Sequence, residues 1–457
     1  MTSFDNIVLV VADTFSAFHM SCFGYERDTT PFLDDLADEN FLCRFAYSSS
    51  SWTVPSHASI FSGEEPQDHG CVHGSLSFES DSFVEDLKEE GYSTLGISAN
   101  HLVSEDLGFD RGFDALVSGG VDVRMRGMGF EDLQKIHSSL EYVGGRKDKA
   151  KSIIEKSVRS KSLSPIFQGL KYFSKDSDER VSEFPLEIVK NEVDNDDKNF
   201  VFINYLDPHL PYEPPVDIAE KWVKDPEKAI SEHKDWLDKN DFMWNKTPEN
   251  EEDVRGLYDS EIRYIDSKVE EIYEYFQENF ENTLFIFTSD HGENIGDYGL
   301  FAHQCGVWEK LIRVPLIIAA DGVESGEKVQ NVSLRELGDL IKGEKDVGDL
   351  GNKTVSAEYY PKINSSDRAE EDYSEENLNY VKNHSRCLIR DKKGIVLNSD
   401  VPNYGFEAEE KGFSTENKFS KVSNLRGDVE DHFNENSDVS GDVEDKVKDN
   451  LEKLGYI

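Results

Sequence analysis

Four apolar runs, each stopping at a chemically capable side chain, constrain this chain more than anything else in it. They occupy 6–12 (NIVLVVA), 93–98 (STLGIS), 199–206 (NFVFINYL) and 283–288 (TLFIFT). Short runs rich in β-branched and aromatic residues read as strands buried on both faces, as in parallel sheets covered by helices. They are followed by Asp13, by Asn100-His101, by Asp207-Pro208-His209 and by Asp290-His291-Gly292. In an open α/β sheet, chemistry collects just beyond the carboxyl ends of the strands. The pattern predicts a doubly wound, mostly parallel sheet with one site along that edge. A further buried strand is expected at 313–320 (RVPLIIAA). Apolar residues at 258, 262, 265, 269, 272 and 276 predict an amphipathic helix covering the sheet.

Composition limits the partners. Of 457 residues, 93 are Asp or Glu and 49 are Lys or Arg, a net charge of −44. Aromatics at 11% and the repeated apolar runs argue against disorder. An acidic surface over a folded core suits high salt, which screens self-repulsion, so a halophilic source is expected. Nucleic acid and anionic membranes are poor partners for such a surface. Cys22, Cys43, Cys71, Cys305 and Cys387 lack metal spacing and read as free thiols in a reducing compartment. No apolar run is long enough for export or spanning, so the protein is expected in the cytoplasm, without a transmembrane segment.

Composition also shifts along the chain. From 121 to 180 there are thirteen Lys+Arg against nine Asp+Glu, a local net charge of +4. This basic helical excursion reads as a solvated insertion, or as a patch guiding an anionic substrate. The catalytic α/β domain is expected over 1–325. A linker with a short helix at 332–341 is expected over 321–353. A smaller C-terminal α+β domain should fill 350–457, with a hairpin at 387–398 turning at Lys392-Lys393-Gly394 and a closing helix at 443–457.

Local readings of the polar residues stay double. Asp13 suits a metal ligand or a helix cap. In 51–63 (SWTVPSHASIFSG), Pro55 fits a first helical turn and Gly63 a C-cap. Thr53 then stands at a helix N-terminus, as its N-cap, as an oxygen nucleophile, or beside a bound anion. His209 alone reads as a loop residue.

Together these segments resemble the sulfatase branch of the alkaline phosphatase superfamily. The resemblance is carried by NIVLVVADTFSAFHMSCFGY, TTPFLDDLA, SWTVPSHASIFSG, DPHLPY, YDSEIRYID, TSDHGENIGDYG, RVPLII and the closing LGYI, in family order. It implies an alkaline phosphatase-like sheet with a smaller C-terminal domain and a divalent metal. By this resemblance Asp13, Asp290 and His291 are metal ligands, and Thr53 is the nucleophile, also touching the metal. His57 falls where sulfatases place an Arg, His209 contacts the transferred group, and His303 stands beside the leaving group.

Two positions depart from the family. Sulfatases oxidise a Cys or Ser to formylglycine, and Thr53 cannot become that aldehyde because its β-carbon bears a methyl. Thr in this place resembles the nucleotide pyrophosphatase/phosphodiesterase relatives. Thr14 stands where a second Asp is common, and the pattern for a second metal is lacking, so one metal is expected. Asp and His ligation admits Mn²⁺, Zn²⁺, Mg²⁺ or Ca²⁺. Three readings follow. One is a hydrolase of sulfate or phosphate esters on an anionic small-molecule, glycan or lipid-linked substrate. Another is a transferase passing the same group to a glycan or lipid alcohol. The third is a non-catalytic anion-binding relative, which metal content would reveal.

Overall fold

The computed structural model describes residues 4–72, 75–118, 180–195, 197–239, 250–297, 301–303, 306–320, 322–361, 384–398 and 404–409. Six strands come first in the chain: β1 (Asn6–Ala12), β2 (Phe41–Tyr47), β3 (Ser93–Ser98), β4 (Ala115–Ser118), β5 (Asn199–Tyr205) and β6 (Thr283–Ser289). A two-residue pair, β7 (Asn294–Ile295) and β8 (Phe301–Ala302), follows. Then come β9 (Arg313–Val314), β10 (Leu316–Ala320) and β11 (Gly326–Ser333). The main sheet runs β11-β2-β10-β6-β1-β5-β3-β4, with β9 beside β2. β1 is parallel to both β5 and β6, whereas β10 is antiparallel to β6 and β2. The sheet is therefore mostly parallel, as the apolar runs predict.

Alternation along the central strands sends side chains to two cores. Ile7, Leu9, Val11, Phe200, Phe202 and Ile286 pack on one face, and Val8, Val10, Val201, Ile203, Phe285 and Phe287 on the other. Each such buried side chain contributes about 1.5–3 kcal/mol. The 29-residue helix Glu251–Asn279 covers the second face, with Tyr258, Ile262, Ile265, Val269, Ile272 and Phe276 fully buried. Its spacing was legible, although its ends extend well beyond the apolar stripe.

Two expectations are corrected, and β2, not among the strands expected from sequence, carries Arg44 inside an otherwise apolar strand. The structure buries Arg44 by pairing it with Glu327 on β11 and with the carbonyl of Cys22. The expected linker at 321–353 begins instead as β11, a half-exposed edge strand parallel to β2, followed by two short helices. An edge strand keeps one face wet, so its charged residues read as a linker in one dimension. The buried run at 313–320 is broken at Pro315 into two strands, β9 paired with β2 and β10 lying between β2 and β6.

The smaller antiparallel sheet holds β12 (Thr354–Tyr359), β13 (Ser385–Arg390), β14 (Lys393–Asn398) and β15 (Tyr404–Glu407). Its hairpin turns at Asp391-Lys392, one residue before the expected turn, with φ of 49° and 66°. Positive φ at both central residues matches the twist of a two-residue hairpin. The basic segment up to residue 179 and the expected helix at 443–457 lie outside the described residues. Among the described residues, no helix is long and apolar enough to cross a membrane.

Candidate active site

Strand register assembles the site. Ala12 lies opposite both Tyr205 and Ser289, and Ser98 opposite Asn204. The residues just past these strands, Asp13, Asp290 and Asn100, therefore emerge at one level on the sheet edge. Asp13 Oδ1, Asp290 Oδ2 and His291 Nε2 are buried and have no hydrogen-bond partner. One ligand atom from each residue lies within 4.8 Å of those of the other two. His291 Nε2 is 3.4 Å from Asp290 Oδ2 and 3.7 Å from Asp13 Oδ1. The remaining polar atoms are engaged. Asp290 Oδ1 accepts from the amides of Thr14 (3.2 Å) and His291 (2.8 Å), and His291 Nδ1 is 3.0 Å from the carbonyl of Gly292.

This arrangement fits a divalent cation. Burial pushes Asp13 up to about 6 and Asp290 well above the usual carboxylate range, Asp290 further because Asp13 faces it. Burial drives His291 well down, keeping the imidazole neutral as ligation requires. Two buried carboxylates and a neutral ring, with their lone pairs converging and otherwise unsatisfied, are stabilised by a positive ion at their centre. Asp13 caps no helix, since the next one starts at Ala17 with Ser16 as its cap.

Local strain accompanies this geometry. Thr14 has φ of 58°, which costs a β-branched residue about 1–3 kcal/mol. Its carbonyl accepts from the Tyr258 hydroxyl at 2.6 Å, and that hydroxyl accepts from Ser16 N at 3.0 Å. Gly292 has a steric reason: a Cβ there would sit 2.1 Å from the carbonyl oxygen of Lys310. Its amide donates to the Leu311 carbonyl at 2.8 Å, which fixes the turn carrying His291.

α2 (Thr53–Ser62) presents Thr53 in its first turn, after Trp52 as N-cap, and ends at Gly63 with φ of 77°. Thr53 is thus inside the helix and is not its N-cap. Its Oγ1 donates to Asp13 Oδ2 at 3.4 Å. Asn100 Nδ2 donates to Asp13 Oδ2 at 2.5 Å and lies 3.5 Å from Thr53 Oγ1. His57, one turn on, is fully buried. Its Nδ1 donates to the Thr53 carbonyl at 3.0 Å, and its Nε2 accepts from Asn204 at 3.1 Å. Burial pulls His57 down to about 4, so the ring is neutral at ordinary pH and both its nitrogens are occupied.

His209 and His303 come together on the far side. Their ring centres are 5.1 Å apart, and His303 is 4.4 Å from His291. His303 Nδ1 is 3.2 Å from Glu293 Oε1, and Tyr212 donates to Glu293 Oε2 at 3.2 Å. Burial pushes Glu293 up to about 8 and His303 well below the ordinary imidazole value. Sequence reasoning gave no role to Asn100, Asn204 or Glu293. Asn100 follows β3 as Asp13 follows β1, a signal that was available. Asn204 sits inside a strand and Glu293 inside a loop, where only the folded chain reveals their partners.

The family model of sulfatases matches residues 5–338. The chain belongs to the sulfatase family. An N-acetylglucosamine-6-O-sulfatase of Bacteroides thetaiotaomicron is 32% identical over 107 residues, covering 23% of this chain and 19% of that protein. The aligned part is thus a small fraction of that relative's length. An arylsulfatase of Clostridium perfringens is 24% identical over 357 residues, covering 69% of each chain. The crystal structure of a phosphonate monoester hydrolase of Agrobacterium radiobacter shares the fold, with a TM-score of 0.62 at 15% identity, covering 94% of this chain and 95% of that one. The matched span 5–338 contains the main sheet and the residues Asp13, Asp290 and His291.

Proposed function

We propose that this sulfatase-family chain is a metal-dependent hydrolase of phosphate or sulfate esters with Thr53 as nucleophile, and that phosphoesters are its better substrates. One observation carries the reading: a helix-borne hydroxyl lies 3.4 Å from a carboxylate of a buried, unsatisfied ligand trio. Asp13, Asp290, His291 and Thr53 would hold one divalent cation, which supplies Lewis acidity to the transferred group and lowers the pKa of the hydroxyl.

The chain's own residues do the rest. Thr53 gives its proton to Asp13 Oδ2 as Oγ1 bonds to phosphorus or sulfur. The bond to the leaving oxygen breaks, and its electron pair goes with that oxygen. The neutral His303 passes its Nε2 proton to that oxygen while Glu293, which burial keeps protonated, passes its own to Nδ1. Water then attacks the threonyl ester, one of its protons returning through His303 to Glu293, and Asp13 returns its proton to Thr53 Oγ1. Asn100 holds Asp13 and Thr53 in register, and His209 contacts the transferred group. His57, neutral and doubly bonded, steadies the turn of α2 that carries Thr53. It takes the place of an arginine without supplying charge.

The preference for phosphoesters rests on Thr53. A formylglycine hydrate expels sulfate with its second hydroxyl, whereas a threonyl ester must wait for water, which metal-assisted sites deliver readily to phosphorus. The sugar sulfatase among the relatives supports a glycan-linked ester as the substrate class. The test is a panel of chromogenic sulfate monoester, phosphate monoester, phosphate diester and phosphonate substrates, run at high salt with Mn²⁺, Zn²⁺, Mg²⁺ and Ca²⁺. Turnover of a phosphoester above the sulfate ester is expected. A sulfate ester turned over faster than every phosphorus substrate would overturn the preference. Full activity after chelation would overturn the metal dependence.

A further inference from the structure

We infer that Arg180 is a positioning residue that sets the loop carrying His209, and this rests on the role of His209 proposed above. Arg180 Nη2 donates to Asp207 Oδ1 at 2.5 Å and to Glu261 Oε2 at 2.6 Å. Its Nη1 donates to the carbonyl of Glu213. The guanidinium carbon lies 4.6 Å over the ring of Tyr264. One rigid fork therefore ties the first and last residues of the loop 207–213 to the long helix Glu251–Asn279 beneath. The ties are doubled around it. Ser182 donates to Asp207 Oδ2, and the amide of Glu213 donates to Glu261 Oε1 at 2.8 Å.

Between the two pinned ends stand His209, facing His303, and Tyr212, which donates to Glu293. Asp207 and Glu261 are both buried, so the cation between them is hard to replace. The planar fork matters as well as the charge, because a lysine ammonium is a point charge without the same fixed directions. Arg180 lies 27 residues before Asp207 and 81 before Glu261, as the last residue of the basic stretch of sequence. The position of the loop is thus held from outside the loop. Arg180 acts through Asp207 and Glu213 on His209, and it touches no reacting atom.

The experiment compares wild type with Arg180→Ala, Arg180→Lys, His209→Ala and the Arg180→Ala/His209→Ala double variant. Two readings are taken: kcat and KM on the best substrate of the panel, and hydrogen exchange of peptides spanning 205–214 and 53–62. Arg180→Ala is expected to lower kcat/KM about 30-fold or more, and added guanidinium should restore part of the loss. Exchange should rise in 205–214 and stay unchanged in 53–62. In the double variant the loss should be within about threefold of His209→Ala alone, since one residue acts through the other. Unchanged exchange in 205–214, or losses that multiply in full, would overturn the inference. If Arg180→Ala does not fold, Arg180→Lys and Ser182→Ala give the same two readings. A wild type without turnover on any substrate overturns the ester-hydrolase reading alone, and the exchange arm still decides this one.

Discussion

Asp13 and Asp290 are unfavourable residues to bury without a cation, and α2 brings the Thr53 hydroxyl to Asp13 Oδ2. Replacing Thr53 by Ala removes the nucleophile and keeps a good helix former in the first turn of α2. We expect turnover to fall by about 10³-fold or more, with melting temperature nearly unchanged. Thr53→Ser keeps the hydroxyl and should retain activity. An Ala variant as active as wild type would remove Thr53 from the chemistry. Gly292→Ala makes a different point. Its Cβ would collide with the Lys310 carbonyl at 2.1 Å, so the turn must move. A destabilisation of about 1–3 kcal/mol is expected from denaturant unfolding, together with weakened metal binding as His291 shifts. Wild-type stability and metal affinity in that variant would contradict the packing described here.

At the scale of elements, buried carboxylates on the long helix hold the loops that surround the site. Asp259 gathers His19, Tyr25 and Arg27, Glu261 takes Arg180, and Asp266 accepts from the amides of Phe32 and Leu33. These two amides open α1 (Pro31–Glu39), whose first turn has no side-chain cap of its own at Thr30. Burial pushes Asp266 up to about 7, and the Leu33 and Phe32 amides oppose that shift. A carboxyl whose folded pKa is raised contributes most when protonated, so its contribution declines as pH rises from about 4 through 7. Asp266→Asn cannot ionise. Its destabilisation relative to wild type should therefore shrink, by about 1–2 kcal/mol, between pH 5 and pH 8. A difference constant over that range would show that Asp266 is ionised throughout.

For the whole molecule, two predictions concern charge and the Asp-Asp-His trio. A net charge of −44 on one chain makes self-repulsion a large opposing contribution. Raising NaCl from about 0.1 M to 1 M shortens the screening length from about 10 Å to 3 Å. The melting temperature should rise by several degrees over that range, and a flat or falling profile would show that repulsion is unimportant. A cation that binds only the folded state stabilises by about 2.7 kcal/mol at a hundredfold excess over Kd. Added Mn²⁺ or Zn²⁺ should raise the melting temperature of wild type and leave that of Asp290→Ala unmoved. Equal responses would place the cation elsewhere.

The sequence by itself determined the strands β1, β3, β5 and β6, the helix over the sheet, and the placement of Asp13 and of Asp290-His291 just past strand ends, whereas their grouping was what the family resemblance implied. A strand buried on both faces must be apolar along its length, so its limits, and the polar residue just past it, are legible in one dimension. Other features were decided only by the tertiary structure. Arg44 inside β2 and the charges of β11 are compatible with strands only because Arg44 pairs across them with Glu327 and one face of β11 stays wet. The neutral state of His57 follows from its depth in the fold, where Asn204, 147 residues away in sequence, reaches its Nε2. Likewise Arg180 and Glu293 gain partners from segments far along the chain. Backbone periodicity is local, whereas desolvation and ion pairing depend on what the folded chain brings alongside.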